Sequence, residues 1–166
     1  LPALAQPLGP DEPPPSQEFL EVVNDFWFHA VWTAKKLRRG ETWIAKSCCD
    51  RYMKHLLLRM VAWEAQAEHG WGFNTWFDGR FLEEWALPET LAELRQAFAM
   101  YDREDIWRAL DVTMTIFQRI AGKLAARLGY PYPEDSAGQV REWVAWAHAG
   151  GMTGSQGNAL ETCTCL

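Results

Sequence analysis

NDFWFHAVWTAKKLRRGETW, residues 24–43, crowds Phe26, Trp27, Phe28 and Trp32 just ahead of Lys35, Lys36, Arg38 and Arg39. A soluble amphipathic helix needs one apolar stripe, and this segment carries two. On a helical wheel Phe19, Val22, Val23, Phe26, Ala30, Thr33 and Leu37 gather on one side, which is expected to be core. Phe28, Trp32 and Lys35 fall on the opposite side, with Asp25 and Arg39 beside them. Covering an exposed Phe–Trp pair is worth a few kcal/mol at ~25 cal/mol per Å2. Two covers are open. A neighbouring helix can do it, with Lys35 snorkelling to water. Alternatively the face lines a cleft shared with a ligand or another domain, and the ammonium meets an anion such as a phosphate.

The same reading extends outward from this helix. Ser16 is a good N-cap, so the first helix should run over about 17–39 and stop at Gly40. A second restarts near Glu41 and continues to about His69. Its core stripe reads Cys48, Cys49, Tyr52, Leu56, Met60 and Trp63, with Trp43, Leu57 and Val61 opposite, near Asp50. Arg59 sits at the edge of the core stripe, where an unpaired charge is costly, so a structural ion pair is favoured over ligand binding. GWGFNTWFDG, residues 70–79, reads as an aromatic loop. Short helices are expected over 80–85 and from Pro88 to about Met100. Asp102 caps a long helix over about 103–128, ended by Gly129 and Pro131. In that helix Ile106, Leu110, Phe117, Ala121, Leu124 and Leu128 share a face, which is plain core. A last helix is expected over 134–149.

No alternating strand pattern and no internal repeat appear. The expected fold is therefore all-α, an antiparallel bundle of five to six helices. Six of the nine prolines lie in residues 1–15, an extended linker that implies something upstream. Residues 16–149 form the helical domain, and 150–166 a flexible tail without periodicity.

The 166 residues suit one compact domain, and ten tryptophans are many for it. A net charge of -6 disfavours nonspecific nucleic-acid binding and suits cationic ligands. The cysteines fall as adjacent Cys48-Cys49 and a terminal Cys163-Thr164-Cys165. No CxxC or HxxxH spacing supports zinc, and the adjacent pair reads as small core residues in a reducing, cytoplasmic setting. No run approaches the ~18 apolar residues of a membrane span. The last four residues, CTCL, formally match a prenylation box, but a chance ending is the preferred reading.

The block NDFWFHAVWTAKKLRRGETWIAKSCCDRYMKHLLLRMVAWEAQ, followed by GRFLEEW, YDREDIWRAL and RLGYPYP, resembles the C-terminal domain of the aminoglycoside 6-adenylyltransferases. The resemblance covers about residues 16–148. It implies a parent enzyme in which an N-terminal nucleotidyltransferase domain holds Mg2+ on paired aspartates. The helical domain closes over ATP and the drug, and AMP passes to a streptomycin hydroxyl. This chain holds no Asp-x-Asp; Asp102-Arg-Glu-Asp105 has the wrong spacing, and Gly154-Ser155 has no aspartate behind it. The metal ligands are thus expected in a missing N-terminal domain, and this chain alone is expected to be inactive.

The resemblance also assigns candidates to the second face of the first helix. Lys35 is the first choice for the triphosphate, where it would neutralise the leaving pyrophosphate, and Arg80 is second. Asp25 and Asp50, with Trp27, Trp32 and Trp76, are candidates for holding a guanidinium-bearing aminoglycoside. Lys36, Arg38 and Arg39 read as complements to the helix dipole. Some relatives place a glutamate base at the position of Val31, so no catalytic residue is expected in this chain, and a base, if one is needed, is expected from the missing domain. Two rival readings remain. One is a non-catalytic helical binding or regulatory module. The other is a HEPN-type ribonuclease built on Arg141 and His148, which share a helix face.

Overall fold

Helix α1 (Ser16–Arg38) forms as its wheel requires: Phe19, Val22, Val23, Phe26, Ala30, Thr33 and Leu37 are all buried. The structure, a computed structural model, describes residues 11–151 of the 166. Cys163, Cys165, the CTCL ending and Gly154-Ser155 lie outside that range. The start of α1 differs from the expectation. Ser16 is already helical, and Pro15 takes the cap position without a side-chain bond. Its carbonyl accepts from the Phe19 N–H at 3.0 Å. Proline supplies a fixed φ where no donor is needed, so the hydroxyl cap is dispensable. The far end stops at Gly40, whose φ of +77° is a left-handed conformation that glycine adopts without strain.

The second rod is continuous from Thr42 to His69 but not uniformly wound. It comprises α2 (Thr42–Ser47), a π-turn (Cys48–Tyr52) and α3 (Met53–His69). The extra residue in the π-turn rotates everything after it relative to a plain wheel. Tyr52, expected in the core stripe, is therefore 44% exposed, while Met53 is fully buried. Leu57 and Val61, expected on a second outer stripe, are buried as well, whereas Trp43 stands 75% exposed. Arg59 does find an ion pair, with Glu18 of α1, but in a half-exposed position.

Two short helices follow, α4 (Leu82–Trp85) and α5 (Pro88–Leu94). The latter was expected to reach Met100. It stops early because its following carbonyls go to a side chain: Arg108 donates to the carbonyls of Gln96 and Phe98 at 2.6 and 3.0 Å. Asp50 accepts from the Ala99 N–H. The long α6 (Arg103–Leu128) begins and ends as its sequence dictates. Asp102 accepts from the Asp105 N–H at 2.9 Å, and Gly129 is left-handed. Finally α7 (Glu134–His148) returns along α1 and α6.

Counting Thr42–His69 as one rod, six helices make an all-α bundle, with no strand among the described residues. Its centre is the flat stack of Phe26 on Phe117, 3.6 Å between centroids, with Trp27 edge-on to both. A polar clamp ties the rods together. Arg119 of α6 donates to Glu64 of α3 at 2.9 Å, and to Thr90 and Glu93 of α5. Burial alone would lower its pKa, but the two glutamates outweigh that and raise it. Cys48 and Cys49 are buried free thiols. Burial pushes both up, Cys49 to about 11, so they pack as neutral groups.

Candidate functional site

The outer face of α1 is neither bare nor sealed. Phe28 is 40% exposed, and Trp32 is partly buried against the core. Between them stands His29, with its ring 4.2 Å from Tyr52 on the π-turn and 5.1 Å from Phe28. Asp25, one turn earlier, accepts from the Tyr52 hydroxyl at 2.7 Å through one oxygen. Its other oxygen lies 2.9 Å from His29 Nδ1. The bond to Asp25 is the main reason the Tyr52 phenol is raised above its ordinary pKa. Lys36 lies over Trp32 at 5.2 Å and is paired with Glu41.

Lys35 turns the other way, toward α7. It stands 6.0 Å over the Trp143 ring and lines a pocket of about 430 Å3 with Arg38, Arg39 and Trp143. Arg39 is also 3.9 Å from Glu41. Arg38 stacks on Trp146 at 5.1 Å and donates to the Gly151 carbonyl. The Trp143 indole N–H is buried with no acceptor among the described residues. Lys35, Arg38 and Arg39 together concentrate positive charge at this spot. Arg38 and Arg39, expected only as dipole complements, thus share a pocket with Lys35. The signal was their i+3 and i+4 spacing from it, which puts them within one turn on the same side.

A larger cleft of about 1080 Å3 opens between the π-turn, α3, the 3-10 turn Phe77–Gly79 and α5. Its floor is apolar, including Leu57, Leu58, Val61 and Leu94, and Asp50 and Lys54 stand at one end. Asp50 is held by Lys46 and lies 3.7 Å from Lys54. Its charge is therefore largely answered within the chain. Lys54 is buried, which lowers its pKa, although Cys49 and Asp50 pull the other way.

At the lip, Trp76, Asp78 and Phe81 all have positive φ (48, 53 and 55°), a costly conformation for bulky residues. The Arg80 guanidinium rests between the Trp76 and Phe81 rings, at 5.5 and 4.8 Å. Phe77 projects into solvent, 91% exposed.

The sequence candidates therefore divide. Asp25 and Trp32 lie on the open face of α1, Lys35 on the cationic pocket, and Asp50 in the larger cleft. Trp76 and Arg80 sit at its lip. Trp27 is 6% exposed and belongs to the core. Among the described residues no three His, Cys, Asp or Glu side chains converge to hold a metal. No described helix is long and apolar enough to cross a membrane. Arg141 and His148 do face one way, but both are engaged by α6. Arg141 donates to Asp111, Thr115 and Gln118, and His148 pairs with Glu104 while stacked on Trp107. That pattern is helix docking rather than a ribonuclease centre.

The described residues thus define an all-α helical bundle with a cationic edge. The chain belongs to the streptomycin adenylyltransferase family, whose model matches residues 10–146. It is 24% identical over 125 residues to an aminoglycoside 6-adenylyltransferase of Bacillus subtilis, covering 75% of this chain and 44% of that protein. A Campylobacter jejuni enzyme of the same name is 24% identical over 120 residues, covering 72% and 42%. The crystal structure of an aminoglycoside 6-adenyltransferase from Bacillus subtilis superposes with a TM-score of 0.75 at 22% identity. It aligns with 82% of this chain and 52% of its own. The chain thus spans about half the length of these relatives.

Proposed function

We propose that this chain is the C-terminal helical domain of an aminoglycoside 6-adenylyltransferase, acting on streptomycin with ATP as AMP donor. A nucleotidyltransferase domain, outside this chain, carries the paired aspartates and Mg2+. Among the described residues no three His, Cys, Asp or Glu side chains converge to hold that ion. The protein works in the cytoplasm, where buried thiols such as Cys48 and Cys49 stay reduced. Nucleic acid and membrane are not its partners.

The observation that carries this reading is the pocket on which Lys35, Arg38, Arg39 and Trp143 converge. When the two domains close on ATP, Lys35 meets the triphosphate and stabilises the charge that develops on the departing pyrophosphate. Arg38 and Arg39 raise the local anion concentration, and Arg80 supplies a second cation from the strained loop. Trp32 holds the cationic drug against the open face of α1, which Asp25 supports through His29 and Tyr52. Asp50 and Trp76 frame the neighbouring cleft, and Trp27 acts through packing.

Calorimetry with pyrophosphate tests the pocket in the chain alone, and Lys35→Met should weaken binding about tenfold, one charged contact's worth. For the whole reaction, the chain is combined with the separately expressed nucleotidyltransferase half of the Bacillus subtilis relative. Label from α-labelled ATP should then appear on streptomycin. Pyrophosphate binding that ignores Lys35→Met, or no transfer by the pair, would refute the proposal.

A further inference from the structure

His29 is the side chain on the open face that no role above has used, and its geometry is that of an oriented base. Both acceptors at its Nδ1 are oxygens: the Asp25 backbone carbonyl at 2.9 Å and the Asp25 carboxylate at 2.9 Å. Neither can donate, so the neutral ring must carry its proton on Nδ1. That leaves the Nε2 lone pair bare. No described group bonds Nε2, and it is not among the buried polar atoms that lack a partner, so it is open to solvent.

The support behind the ring is doubled. Asp25 cannot swing away, because its second oxygen is held by the Tyr52 hydroxyl at 2.7 Å. Tyr52 in turn reaches α1 only because the π-turn carries it outward. Its ring lies against the imidazole at 4.2 Å, and Phe28 and Trp32 flank the other sides at 5.1 and 6.3 Å. A hydroxyl-bearing ligand resting on this aromatic face would find an acceptor of fixed tautomer, backed by a carboxylate.

We infer that His29 is the general base of the AMP transfer, with Asp25 and Tyr52 as its positioning residues. This rests on the proposed function and supplies the proton acceptor that Val31 cannot. The attacking hydroxyl gives its proton to His29 Nε2 as its oxygen forms a bond to the α-phosphorus of ATP. The bond from that phosphorus to the bridging oxygen breaks, and pyrophosphate leaves with the electron pair. The imidazolium, stabilised by Asp25, returns its proton to water. Of the titratable groups nearby, Tyr52 is held protonated by its bond to Asp25, and Cys48 by burial. Lys36, beyond Trp32, is paired with Glu41.

The test compares wild type, His29→Gln, Asp25→Asn and Tyr52→Phe, each paired with the nucleotidyltransferase half of the relative. Wild type should show kcat/KM rising with pH as the base loses its proton. His29→Gln should lower kcat by a factor of about 10²–10⁴, with KM for drug and ATP within about threefold, and abolish that rise. Asp25→Asn, whose amide can donate to Nδ1 and favour the other tautomer, should lose a similar factor. Tyr52→Phe should lose about tenfold or less. Nitrogen NMR of the isolated chain should find neutral His29 protonated on Nδ1 in wild type. Transfer that survives His29→Gln with its pH profile intact, or a ring protonated on Nε2, overturns the assignment while leaving the proposed function standing. Absence of transfer by the wild-type pair overturns both.

Discussion

Lys54 is the strongest test of how the π-turn is held, because it is a buried lysine bonded mainly to uncharged oxygens. Its Nζ donates to Thr113 Oγ1 at 2.7 Å and to the Cys49 carbonyl at 3.0 Å, and stands 3.7 Å from Asp50. Lys54→Met keeps the apolar stem and removes only the ammonium. Breaking a buried ion pair by deleting one member costs about 3–5 kcal/mol when the other charge is stranded. Asp50 is not stranded, since Lys46 and the Ala99 N–H remain on it. What is lost is two charge-assisted bonds of about 1.5–3 kcal/mol each, partly offset by no longer desolvating an ammonium. The expected loss is about 2 kcal/mol. For a chain of this size that lowers Tm by about 4–8 °C, with the urea m-value unchanged. The pH dependence reports the opposing desolvation cost. Because the folded-state pKa of Lys54 is lowered, the unfolded chain binds the proton more tightly, and stability rises with pH just below 10.5. Lys54→Met removes that rise. A Met variant as stable as wild type at neutral pH would show that desolvation outweighs the bonds and that the ammonium does not hold the turn.

Cys49 predicts the opposite alkaline trend. Its folded pKa of about 11 lies above the ordinary 9.0, so its contribution is full below 9.0 and lost as pH rises through about 11. The two units correspond to roughly 3 kcal/mol. Urea curves across that range should flatten in Cys49→Ala, most visibly when Lys54→Met has removed the opposing slope. Arg119→Met leaves Glu64 and Glu93 facing each other without a cation and should cost about 3 kcal/mol, read as a fall in the thermal midpoint. His148→Ala should leave stability within about 0.5 kcal/mol, as for an exposed pair. Neither it nor wild type should cleave RNA in a gel assay.

The parts of this molecule that were legible in sequence are those governed by local rules. The α1 core stripe, the Asp102 cap and the Gly40 and Gly129 stops all follow from periodicity and turn chemistry within a few residues. A wheel fails where winding changes, and it misplaced Tyr52, Leu57 and Val61 because it assumes 100° per residue through Cys48–Tyr52. Nothing local marks that π-turn. Its anchors, Thr113 and Asp25, come from α6 and α1, many residues away. The same distinction explains the candidate site. Lys35 could be singled out as a charge on the wrong side of a helix, but its pocket exists only because α7 brings Trp143 beneath it. Asp25 read as a free anion for a cationic drug, yet its two oxygens are committed to His29 and Tyr52. A charge count along a sequence gives the supply of carboxylates and cations, whereas the fold decides which are already spent. On the open face of α1 that accounting turns Asp25 from a ligand into a support, and makes the bare nitrogen of His29 the group to test.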